Sequence, residues 1–281
     1  MTTYTPPVDQ LLTLGVPELS GERGNYLALG LSADNIPELL RMATDHALLW
    51  ANEDSAAMYA PMHAWRALGQ LRAEAAVAPL IGLWDDVGRD DGYDDWALEE
   101  IPYVLGTIGA PALPALTAYI ADPTHDTNAL TSAAVALSEL AQRYPDQRAA
   151  CVEVLTNVLA RAAEYDPVVN GFVIAELIEL HAVESAEMIK AAHYAKRVDL
   201  SIVGTWVMVK EALGLSAADE VAGPEPEDET LAPMEFMLDR EVERQRQVTR
   251  DHKNKTGSGR VAKEKHEQEK KSRKANRKKK K

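Results

Sequence analysis

Residues 85 to 100, DDVGRDDGYDDWALEE, place eight carboxylates in sixteen positions against one base, Arg89. Carboxylates this dense can chelate a hard cation, present a docking face to a basic partner, or remain solvated in a loop. A calcium loop needs a D-x-D-x-D-G ladder and a closing Glu at its twelfth position, and this run has neither. A solvated inter-helix loop is the plainest reading, with a docking surface second. If the run docks a protein, the candidate surface is Trp84, Asp85, Asp86, Asp90, Asp91, Asp94, Asp95 and Trp96. Trp50, Trp65, Trp84, Trp96 and Trp206, with Tyr59 and Tyr103, suit packing between repeated units, because buried aromatics dominate core energetics. Trp65 keeps core spacing with Leu68, whereas Trp84 and Trp96 flank the acidic run and are the two expected at the surface.

The opposite charge gathers at the other end. Arg240 to Lys281 carry 18 basic and 6 acidic residues, a net of +12, while the preceding 239 residues carry 12 basic and 38 acidic, a net of −26. In KKSRKANRKKKK, the candidate contacts to nucleic acid or an acidic partner are Lys270, Lys271, Arg273, Lys274, Arg277, Lys278, Lys279, Lys280 and Lys281. Such a run binds RNA, a ribosome or DNA by counterion release with little sequence preference. In a nucleated cell it also fits a nuclear-import signal. A solubilising role, or folding back on the acidic body, are the alternatives.

Other reactive residues are scattered. His46, His63, His125, His181 and His193 show no H-x-x-x-H or H-x-x-E-H spacing, so neither a metal site nor acid–base work is expected of them. The single Cys151 rules out an internal disulfide framework and multi-thiolate zinc, and it reads as a small core residue. No G-x-S-x-G, P-loop or dinucleotide fingerprint occurs. No catalytic constellation and no cofactor are expected.

The elements that would hold these residues come from a repeated phrase. WRALGQLRAEAAVAPLIGL begins at Trp65 and YVLGTIGAPALPALTAYI at Tyr103. Each has a Leu-Gly pair, an apolar residue two places later, a break, and a proline ahead of a second apolar run. The paired positions Leu68–Leu71, Leu105–Ile108, Leu137–Leu140 and Leu177–Leu180 start 37, 32 and 40 residues apart. A shortened earlier copy sets Leu31 nine residues before Leu40, as Leu71 stands before Leu80. Two amphipathic segments per period of roughly 30–45 residues are the signature of a helical solenoid.

The spacing predicts helices over 36–44, 60–71, 78–86, 96–108, 113–121, 128–143, 147–164, 168–181, 184–195 and 204–213. The helix over 147–164 is expected to be longer than its equivalents. Pro37, Pro79 and Pro114 stand near the starts of second helices, where first-turn N–H groups have no intrahelical partner. Gly69 and Gly106 inside first helices cost about 1 kcal/mol each against Ala, a loss that close helix–helix approach would offset.

RALGQLRAEAAVAPLIGL and VLGTIGAPALPALTAYI resemble HEAT repeats, specifically the short kind named after phycobilisome (bilin) lyases. The resemblance covers about residues 24–215 and rests on packing positions. It implies an all-α fold, a right-handed α-solenoid of HEAT-like helical hairpins, with a surface that binds another macromolecule. Some members of such families are bilin lyases, histidine-iron hydroxylases or DNA glycosylases. The hydroxylases repeat a His-Glu pair in their helices, and here the pair occurs once, at His266-Glu267. The glycosylases hold phosphates in a cationic groove, against a body at −26.

The expected organisation is therefore a solenoid over 1–215 (first copy shortened near 24–45), an acidic proline-containing linker over 216–239, and a disordered basic C-terminal tail over 240–281. The start MTTYTPPVDQLLTLG lacks a signal-peptide pattern, and no stretch nears the roughly 18 uninterrupted apolar residues of a membrane span. The expectation is a cytoplasmic, monomeric interaction scaffold without enzymatic activity and without membrane contact. A chromophore-protein lyase or chaperone, and a tail-driven RNA or ribosome binder, are the alternatives.

Overall fold

The computed structural model describes residues 3–18, 23–49, 55–86 and 94–215, with Asp94 and Asp95 placed by backbone alone. The chain divides into Met1–Glu227 and Asp228–Lys281, and the second unit lies wholly outside the described residues. So does every candidate contact from Lys270 to Lys281.

The described part of the first unit is all-α, with no strand among its residues. Its helices are α1 (Ile36–Ala43), α2 (His46–Leu49), α3 (Ala60–Gln70), α4 (Val77–Gly82), α5 (Asp94–Ile108) and α6 (Leu113–Ile120). They continue with α7 (Thr127–Arg143), α8 (Arg148–Ala160), α9 (Pro167–Glu179), α10 (Ala186–Tyr194), α11 (Leu200–Val203) and α12 (Trp206–Ala212). α3, α5, α7, α9 and α11 pack each on the next, and so do α4, α6, α8, α10 and α12. The order of packing follows the order of the sequence.

The repeated leucines explain this arrangement. Leu68, Leu105, Leu137 and Leu177 have no exposed surface, and Ile108, Leu140 and Leu180 are buried one turn later. The chain then turns back in a recurring way. Arg72 and His181 both adopt a left-handed φ of 50°. The next N–H, of Ala73 or Ala182, donates to the carbonyl of Leu68 at 3.0 Å or Leu177 at 2.9 Å. That six-to-one bond closes the helix end and reverses the chain. A short 3-10 turn then leads into each second helix, at Glu74–Ala76 and Val183–Ser185.

Two residues in the first-helix layer depend on a neighbour one hairpin away. Gly106 brings α5 so close to α7 that a Cβ would lie 2.6 Å from Glu139 Cβ and 3.0 Å from its carbonyl carbon. Pro102, inside α5, has no N–H for the carbonyl of Leu98. Ser132 of α7 supplies the missing donor at 3.0 Å.

Beyond shifts of one or two residues at helix ends, two segments and one register differ from the sequence reading, and the short helices α2 and α11 were not expected. The segment 78–86 is α4 followed by a 3-10 turn over Leu83–Asp86. α8 stops at Ala160, and Arg161 pairs with Glu164 and donates to the carbonyl of Ala121. α8 is still longer than α4, α6 and α10. In the early copy the buried residue is Leu39, with Leu40 half-buried, and α1 packs on α3. It does not repeat the register of Leu80.

Candidate functional site

A polar network lies across successive helices, and its members come from α3, α5, α7 and α9. α3 contributes His63, Arg66 and Gln70, spaced so that all three share one side of the helix. α5 contributes Glu100 and Tyr103, α7 contributes Ser138, Glu139 and Arg143, and α9 contributes Glu176.

At its centre Arg66 donates two hydrogen bonds to Glu100, Nε to Oε2 at 2.8 Å and Nη2 to Oε1 at 2.7 Å. The two side chains are 2% and 5% exposed. Burial on its own would lower the Arg66 pKa, but the two hydrogen bonds and opposite charge of Glu100 carry it above its ordinary value. A buried, bidentate pair of this kind fixes orientation, and removing one member strands the other charge.

Tyr26 links this pair to His63. The His63 pKa is lowered, chiefly by burial, so the ring is neutral. Its Nε2 faces the carbonyl of Gly15 at 2.9 Å, which only accepts, so Nε2 carries the proton. Nδ1 therefore accepts from the Tyr26 hydroxyl at 2.8 Å. Burial raises the Tyr26 pKa, and the nearby Arg66 guanidinium opposes that rise.

Residues 23–26 carry no helix and lie against the same face. The Gln70 amide donates to the carbonyl of Gly24 at 2.7 Å and accepts from the N–H of Tyr26 at 2.9 Å. Gly24 has a φ of +68°, a conformation that disfavours any side chain. The Arg23 guanidinium stands 3.4 Å from the centroid of the Tyr103 ring and 3.5 Å from Glu100 Oε1. Arg143 approaches the same ring at 4.1 Å and pairs with Glu139 at 2.6 Å. Next along the face, burial raises the Glu176 carboxyl to about 7. The Ser138 hydroxyl opposes that shift, and the charges of Glu179 and Glu139 add to it.

An open cleft of about 250 Å³ runs beside this network, with Leu14, Val16, Arg23, Tyr26, His63 and Arg66 in its walls. The arrangement offers a cation–aromatic stack, a carboxylate already oriented by Arg66, and an amide directed at a peptide backbone. That is equipment for recognition.

The surface expected from the acidic run is different. Trp84 is 1% exposed and is not a surface residue: its indole N–H donates to the carbonyl of Ala97, and its ring packs on Tyr119. An apolar residue at that place in the second helix points inward, which the neighbouring charges concealed. Trp96 is half-buried against Tyr59, ring centroids 5.1 Å apart. Asp85 is 57% exposed; it accepts from the Tyr119 hydroxyl at 3.3 Å and lies 3.6 Å from His125 Nδ1. Asp86 is half-buried. Asp90 and Asp91 lie outside the described residues, as do the side chains of Asp94 and Asp95. Glu100, the last acid of the run, is buried in the network instead of solvated.

Among the described residues no group of three or more His, Cys, Asp or Glu is placed to hold a metal ion. No single described helix is long and apolar enough to cross a membrane. Cys151 is buried, and burial pushes its thiol up to about 11. No known protein family, curated protein or solved structure matches the chain.

Proposed function

We propose that this chain is a non-enzymatic interaction scaffold: a right-handed α-solenoid of HEAT-like hairpins that binds a protein partner. On this reading its basic tail attaches electrostatically to RNA, DNA or another acidic surface. The observation that carries it is the polar network across α3, α5, α7 and α9. Stacked hairpins bury their apolar sides against one another and leave first-helix side chains from successive repeats side by side. Here Arg66 pairs with Glu100, Arg143 meets Tyr103 and Glu139, and Arg23 bridges Glu100 and Tyr103. They are oriented by one another, which suits docking a ligand of defined shape.

The test is a crosslinking pull-down of the full chain beside a version ending at Leu215 and a version carrying Tyr103→Ala with Arg143→Glu. A partner retained by the shortened chain and lost from the double variant supports the first-helix face. Turnover of a small substrate, with every pull-down empty, would sink the scaffold reading.

A further inference from the structure

We infer that the face formed by α3, α5 and α7 binds a short peptide carrying an Arg-Gly bend, and that the chain's own residues Arg23–Asn25 occupy that site as a built-in competitor. This inference rests on the scaffold reading and names the chemistry of its partner.

Gln70 shows the first half of such recognition. Its amide reads the backbone, bonding the carbonyl of residue 24 and the N–H of residue 26. Gly24 has a φ of +68°, so these two groups belong to a bend, and one side-chain amide spans both. Contact of this kind reads the backbone and asks for a glycine at the bend. Selectivity comes from the second half, where Arg23 meets the Tyr103 ring and the Glu100 carboxylate. A planar guanidinium stacks on a ring and bonds a carboxylate at its edge; an ammonium cannot do both. Glu100 is held in place by Arg66 from below, so the site keeps its geometry when the occupant leaves.

Tyr26 belongs to the core, at 5% exposure, whereas Gly24 and Asn25 are exposed and Arg23 is half-buried. Among the described residues the exposed large hydrophobics are Leu14, Val16, Leu27, Val183 and Val207. Three of these five flank the occupying segment, at 43%, 60% and 43% exposure for Leu14, Val16 and Leu27. The cleft lies along the same stretch, at Arg23 and Tyr26. Apart from the buried Tyr26 ring, residues 23–26 are held by polar bonds. An incoming peptide replaces such bonds one for one, at little net cost.

The test is fluorescence anisotropy with a labelled synthetic peptide of residues 20–29, SGERGNYLAL, titrated with full-length chains. Arg23→Ala weakens the built-in occupant, so this variant is expected to bind the peptide about tenfold tighter than the parent. Replacing the peptide's arginine by lysine should cost about tenfold in that variant. Adding Tyr103→Leu, which keeps apolar volume without a ring face, should abolish the gain, with a thermal melt confirming the fold. Equal binding to Arg23→Ala and parent, or no binding to either, overturns the inference, as does a gain that survives Tyr103→Leu. Tighter binding of a labelled RNA oligonucleotide than of peptide to Arg23→Ala, lost with Tyr103→Leu, overturns the peptide assignment too. If the peptide fails while a protein partner still depends on Tyr103 and Arg143 in the pull-down, the scaffold reading stands and this inference alone falls.

Discussion

Asp85 and Glu100 bound the same acidic stretch of sequence, yet the Asp85 side chain is 57% exposed and that of Glu100 is 5% exposed. Asp85 accepts one long hydrogen bond from Tyr119 at the end of the second-helix layer, with His125 close by. Glu100 receives two short ones from Arg66 in the first-helix layer, with Arg23 alongside. The difference teaches that crowding of charge along the chain does not locate a charged site among these helices. Residues one period apart do. Arg66 and Glu100 are separated by 34 positions, Leu98 and Ser132 likewise by 34, and Thr107 and Tyr144 by 37.

The largest test of that contrast compares two single alanine variants. Glu100→Ala leaves Arg66 buried without its partner and should cost about 3–5 kcal/mol in denaturant unfolding. Asp85→Ala, at a mostly solvated carboxylate, should cost less than about 1 kcal/mol. Similar losses from both would erase the distinction.

The helix contacts sharpen it next. Gly106→Ala drives a methyl group into the backbone of α7 and should destabilise by about 1–3 kcal/mol. Gly82→Ala, at the end of α4 where an added Cβ meets nothing within 4 Å, should gain about 0.5–1 kcal/mol. Melting temperatures should move in opposite directions.

The repeating leucines and second-helix prolines were legible because they obey local periodicity, which read out the hairpins. Gly106 was legible for the same reason: a glycine in an otherwise good helix signals a close neighbour. The site was less so. Arg66, Glu100 and Tyr103 each look ordinary beside their chain neighbours, and only superposing the two Leu-Gly phrases would have aligned Arg66 with Tyr103, three residues after Glu100. Trp84 misled for the converse reason, because acidic neighbours in sequence disguised an inward-facing position. His63 and Tyr26 carried no mutual signal: they stand 37 positions apart, but Tyr26 precedes α1 and holds no helical position to match.

Titration extends the comparison. Glu176 has its folded pKa raised from 4.5 to about 7, so the folded chain binds the extra proton. Stability contributed by that protonated form is present below about pH 4.5 and lost as pH rises through about 7. Glu176→Gln should therefore stabilise by about 1–2 kcal/mol at pH 8, the full shift being reduced for a half-buried side chain, and change little at pH 4. The exposed Asp122 has the opposite sign. Thr124 lowers its pKa by hydrogen bonding, so its stabilising charge is present at neutral pH and is lost on acidification. Unfolding midpoints across pH 4–8 should separate the two variants Glu176→Gln and Asp122→Asn by direction.

A single neutral hydrogen bond closes the series, at the carbonyl that Pro102 leaves open. Ser132→Ala removes its donor and should cost about 1–2 kcal/mol in denaturant unfolding, and an unchanged midpoint would show that the bond carries nothing.

A pair of double-mutant cycles measures most directly whether side chains one hairpin apart form the site. The coupling between Arg66 and Glu100, from Arg66→Met, Glu100→Leu and the double variant, should be at least about 2 kcal/mol. The coupling between Asp85 and His125, from the corresponding alanine variants, should be below about 0.5 kcal/mol. Coupling near zero for Arg66 and Glu100, or a larger value for Asp85 and His125, would contradict the account.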